Sequence, residues 1–150
     1  MSRRLIEAFA PGSVAAQVEA TDWRAATRVA GDLLVASGRT TSTYTDDILA
    51  MLEELGPYQV IAPGIALVHA RPSEAVLTTG LSLAVLAHPV EFGNKANDPV
   101  SLVFGLAAQH HDSHIEVLAE IANKLSSETF VKSALTIHSE ADFLRLLSDS

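Results

Sequence analysis

Apolar residues change period twice along this chain. Val14 to Glu19 alternates briefly, as a short strand would, and Thr21 or Asp22 then offers a helix N-cap. Ala26, Val29, Ala30 and Leu33 recur at helical spacing until Gly38. The following RTTSTYTDD is rich in capping residues, and Ile48, Met51, Leu52 and Leu55 form a second amphipathic stripe. Gly56-Pro57 ends that helix, because glycine suits the position just past a helix and proline cannot continue it.

The period then shortens. Val60 to Ala62 and Ile65 to Ala70 are short apolar runs split by Pro63-Gly64. Thr78 to Ala87 puts Leu81, Leu83 and Val85 on one face and Ala84 and Leu86 on the other, so both faces are apolar. Such a strand sits inside a sheet covered on both sides. Val100 to Ala108 repeats the signature after a polar, turn-rich loop, HPVEFGNKANDP. Helical spacing returns at Ser113, where S-x-x-E with Glu116 reads as a capping box before a stripe of Ile115, Leu118, Ala119, Ala122 and Leu125. A shorter helix is expected over Glu128 to Leu135. A last one opens at Ser139-x-x-Asp142 and buries Phe143, Leu146 and Leu147. Interleaved helices and strands predict an α/β three-layer sandwich, a central mixed sheet flanked by helices.

Composition narrows the chemistry. The chain has 150 residues, enough for one domain with a real core, and is 48% hydrophobic but only 5% aromatic. The core must therefore rest on Leu, Val, Ile and Ala. A net charge of -8 argues against nucleic acid or an anionic membrane as partner, since both reward positive charge. With no cysteine, disulfides, thiolate metal sites and cysteine nucleophiles are excluded. The N-terminal MSRRLIEAFAPGS is too short and interrupted for a signal segment, and no stretch reaches the roughly 18 apolar residues of a membrane span. The expected location is the cytoplasm.

The candidate chemistry lies in histidines. His69 ends the apolar run within GIALVHARP, on the face of Ile65 and Leu67. An unprotonated imidazole there could attack phosphorus; the same position also suits an ordinary histidine at the edge of a core. Arg71 falls on the same face if the strand continues, where its guanidinium could fork onto phosphate oxygens. His110 and His114 are four apart, with His111 between them, a spacing that could serve a metal, but no further ligand completes a set. His114 instead falls in the first turn of a helix, where backbone N–H groups and the dipole favour an anion. His88 and His138 read as surface residues, and no glycine spacing matches a nucleotide-binding loop.

Three segments, GPYQVIAPGIALVHARP, NDPVSLVFGLAA and DSHIEVLAEIANKL, together resemble the IIA component of the bacterial sugar phosphotransferase system, in the mannitol–fructose (type-2) superfamily and nearest its ascorbate branch. The resemblance implies that residues 1–150 form a single EIIA type-2 domain. It implies that His69 is the phosphorylated histidine and His114 a second active-site histidine; Arg71 and Ser113, beside them in the sequence, are the candidate phosphate contacts. Phospho-HPr would be the donor and a cognate IIB component, with its membrane partner IIC, the recipient, the IIB accepting on a cysteine. No cofactor or metal is implied, and a homo-oligomer is compatible. One departure stands out: the family usually has proline before the histidine, and here Val68 occupies that place. An arginine that the mannitol branch carries before the motif is also replaced, by Glu53 and Glu54. A regulatory module on the same fold and a histidine-rich metal binder are the competing readings.

Overall fold

Strands β1 (Val14–Val18), β2 (Val60–Ala62), β3 (Ile65–His69), β4 (Gly80–Val90) and β5 (Val100–Ala107) form one sheet in the computed structural model, which describes residues 3–149. Their order is β1-β4-β5-β3-β2. β1 pairs parallel with β4 and β3 parallel with β5, whereas β4–β5 and β2–β3 are antiparallel, so the sheet is mixed as expected. Helices α2 (Trp23–Ala36) and α3 (Ser42–Leu55) cover one face. The other carries α1 (Arg3–Ala8), α4 (His111–Leu125), α5 (Glu128–Ala134) and α6 (Glu140–Asp149).

Strand alternation sorts the core into two layers. Ile65, Leu67, Leu81, Leu83, Leu102, Phe104 and Leu106 face α1, α4 and α6. Ala66, Val68, Ala84, Val103 and Ala107 face α2 and α3. The second layer is built from small residues, so α2 lies close on the sheet. A Cβ on Gly105 would come within 2.5 Å of Ser82 Oγ and 3.2 Å of the Ala30 carbonyl oxygen. That Ser82 hydroxyl is buried and donates to the Ala30 carbonyl at 2.7 Å. Because β3 keeps its alternation to the end, His69 continues the Ile65–Leu67 row and emerges on the α4 side of the sheet.

Three elements differ from the sequence pattern. α1 was legible only as a short apolar patch, yet Leu5, Ala8 and Phe9 are buried, with Phe9 edge-on to Phe104 and Phe143. Met1 and Ser2 of that segment lie outside the described residues. β4 runs on to Val90, so His88 sits on a strand, although exposed. On α4 the buried positions are Val117 and Ile121 and the predicted Ile115 is 51% exposed. Leu118 and Leu125 border both stripes, and the contacts offered by α1 and α5 select the one through Val117 and Ile121. Among the described residues no helix is long and apolar enough to cross a membrane.

Candidate active site

At the end of β3, Asp22-capped α2 and the α3 helix hold the sheet from behind while α4 begins in front. The rings of His69 and His114 meet there edge to face, 5.1 Å between centroids and 74° apart. Strand and helix thus bring together the two histidines singled out in the sequence.

The His69 ring folds back on its own strand: Nδ1 lies 3.0 Å from the Leu67 carbonyl oxygen. That oxygen can only accept, so Nδ1 carries the hydrogen and, in the neutral ring, Nε2 keeps a free lone pair. Burial pushes the His69 pKa down, and the bond to Leu67 opposes this only in part. His114 is also pushed down, by burial first and then by the positive charge that His69 and His111 would bear. Both rings therefore favour the neutral, nucleophilic form at pH 7.

Two side chains that the sequence reading passed over secure the strand end. Gln59 Oε1 accepts the His69 N–H at 2.9 Å, and its Nε2 donates to the His69 carbonyl at 3.1 Å. Tyr44, wholly buried, accepts the Ala70 N–H at 3.0 Å and donates to the Leu106 carbonyl at 2.7 Å, tying β3 to β5. Burial raises the Tyr44 pKa to about 12, so the hydroxyl keeps its proton. Tyr44 stands four residues before Ile48, in the apolar stripe of α3, and that spacing was its only signal.

The helix start is held by a relay of hydroxyls. The Gln109 N–H donates to Thr79 Oγ1 (3.1 Å), Thr79 donates to Ser113 Oγ (3.4 Å), and Ser113 donates to the His110 carbonyl (2.9 Å). This corrects the predicted boundary. The N-cap is His110, and Ser113 is the third helical residue, answering the His110 N–H rather than opening a box with Glu116. His114 stays in the opening turns, its N–H bonded to the His110 carbonyl at 3.0 Å. Ser113 Oγ is thereby engaged in the cap.

Arg71 takes another position. β3 stops at His69, so alternation does not carry to residue 71, and Arg71 lines a shallow groove with Asp47, Met51 and Glu54 of α3, on the sheet face opposite α4. Among the described residues no group of three or more His, Asp or Glu side chains converges as metal ligands, which leaves His110, His111 and His114 without the geometry of a metal site.

Fold and site together define a phosphotransferase component of the EIIA class. The chain belongs to the family of the phosphoenolpyruvate-dependent sugar phosphotransferase system, EIIA 2, whose model matches residues 7–150. It is 42% identical over 117 residues to an ascorbate-specific PTS system EIIA component from Salmonella choleraesuis (strain SC-B67), covering 77% of this chain and 76% of the relative. Its fold superposes on the mannitol-specific cryptic phosphotransferase enzyme IIA of Escherichia coli with a TM-score of 0.84 at 31% identity, over 97% of this chain and 99% of the other. It likewise matches Escherichia coli enzyme IIA for mannitol, solved in complex with its phosphorylated enzyme IIB, with a TM-score of 0.81 at 27% identity over 93% and 96% of the chains. The chain is a phosphoryl carrier of a sugar phosphotransferase system.

Proposed function

We propose that His69 is the residue that carries the phosphoryl group, taking it from phospho-HPr in the cytoplasm and passing it to a cognate IIB component that serves an ascorbate-like sugar. The observation that carries the reading is the Nδ1–Leu67 hydrogen bond beside His114, which leaves Nε2 as the free nitrogen in a 5.1 Å pair of imidazoles. In transfer, the His69 Nε2–phosphorus bond forms in line as the donor's nitrogen–phosphorus bond breaks. Nδ1–H stays on Leu67 and delocalises the charge that the ring gains. His114, with the first-turn amides of α4, stabilises the phosphoryl oxygens in flight. Positioning and charge stabilisation carry most of such a reaction.

The complex solved for the mannitol relative supports a IIB component as recipient. The names of the curated relatives support the ascorbate class of sugar. Incubation with enzyme I, HPr and phosphoenolpyruvate should add one acid-labile phosphate to the intact protein by mass. If no phosphate is gained by the folded chain, the reading fails.

A further inference from the structure

We propose that Gln59 is a positioning residue for the His69 imidazole, its carboxamide standing in for a strand neighbour where β2 runs out and so determining which ring nitrogen stays free. The inference rests on His69 as the phosphoryl acceptor and extends it to the residue that sets the acceptor's geometry.

β2 has three residues and pairs with β3 only as far as Val60 opposite Ala66. Beyond that point the edge of β3 would present the Leu67 N–H and both backbone groups of His69 without a partner strand. Gln59 takes all three. Its carbonyl accepts the Leu67 N–H at 2.9 Å, its Oε1 accepts the His69 N–H at 2.9 Å, and its Nε2 donates to the His69 carbonyl at 3.1 Å. A planar carboxamide offers one acceptor and one donor side by side, the pattern that the C=O and N–H of one residue on a further strand would offer. The residue is only 1% exposed, and Nε2 has a further contact to Met51 Sδ at 3.4 Å, which helps to hold the amide in place.

The link to chemistry runs through Leu67. The ring bonds to a carbonyl two residues back on its own strand, a contact that survives only while residues 67 to 69 keep one backbone conformation. Gln59 grips both ends of that stretch. Val68 adds to the need for such a grip: it leaves φ free to rotate, where a proline would fix it. With the clamp gone, Nδ1 exchanges Leu67 for water, the tautomer with hydrogen on Nε2 becomes populated, and the fraction of rings ready to attack falls.

The test uses the full chain with Gln59→Met, which keeps the length and removes the amide, and Gln59→Glu, which when ionised can still accept from the His69 N–H but cannot donate to its carbonyl. Nitrogen-15 NMR of the His69 ring reads the tautomer, and transfer from phosphorylated HPr reads the rate. Wild type should show one tautomer, with hydrogen on Nδ1. Gln59→Met should show a mixture and slow the transfer about ten- to hundredfold, the scale of a reactive group displaced by an ångström or less. The KM for the carrier should be unchanged, and Gln59→Glu should fall between. If whichever variant folds keeps the wild-type tautomer and rate, the proposal is overturned. A wild type that shows the Nδ1–H tautomer yet accepts no phosphate would instead refute the reading of His69, leaving the clamp to be judged by the tautomer alone.

Discussion

The strand end that carries His69 and the helix start that carries His114 face each other, yet they are built on different principles. His69 is held by its ring, its N–H and its carbonyl, and the next residue is pinned by Tyr44. The His114 ring meets His69 edge to face, and its place follows from the relay through Thr79 and Ser113 that starts α4. The proposed nucleophile must present one nitrogen along one line, which fits the removal of its freedom at several points. A group that stabilises charge can act from a range of angles, and a fixed helix start suffices for it.

That contrast can be broken most severely at His69, the proposed nucleophile. His69→Ala should fold and gain no phosphate when incubated with phosphorylated HPr, read by intact mass; an acid-labile phosphate on the variant would show that another residue accepts. His114→Ala should still be phosphorylated, but about a hundred- to a thousandfold more slowly, the cost of one preorganised donor, because the α4 amides persist. Rapid-quench time courses equal to wild type would remove His114 from the site.

Tyr44→Phe sharpens the comparison from the side of stability. It leaves the Ala70 N–H and the Leu106 carbonyl buried without their partner and should cost roughly 1–3 kcal/mol in denaturant unfolding. Ser113→Ala, the matching change at the helix start, should cost about 0.5–1 kcal/mol, since its bonds are more exposed and water can replace them. Equal costs would contradict the view that the strand end is the more tightly held.

The smallest effect is expected from pH. Both histidines have folded pKa values below the ordinary value of about 6.5. As pH falls below about 6.5 the unfolded chain takes up these protons before the folded one does, so stability declines with acid and is flat above that range. Urea titrations at several pH values should show the decline weakened in the double variant His69→Ala/His114→Ala. A stability that rises toward pH 5 in the wild type would reverse the assignment.

Local pattern carried much of this molecule. Two-sided apolar runs announced β4 and β5 because an interior strand must satisfy helices on both faces, and alternation along Ile65, Leu67 and His69 already placed the histidine on one side of the sheet. The S-x-x-E pattern at Ser113 announced a helix start near His114 but put the cap three residues late, since His110 is the N-cap and Ser113 answers its backbone from inside the helix. α1 escaped because six residues are too few to display a period; tertiary burial against Phe104 and Phe143 makes it a helix.

What the sequence by itself determined is therefore the layered fold and the rows along it, because periodicity is a local property of the chain. Only the tertiary structure decided which side chains close around His69. Gln59 is ten residues from His69, Tyr44 is sixty-two from the Leu106 carbonyl it holds, and Thr79 is thirty-four from Ser113. Each is a polar residue that looks ordinary in its own segment. Its role appears only when folding brings a distant partner within hydrogen-bond reach.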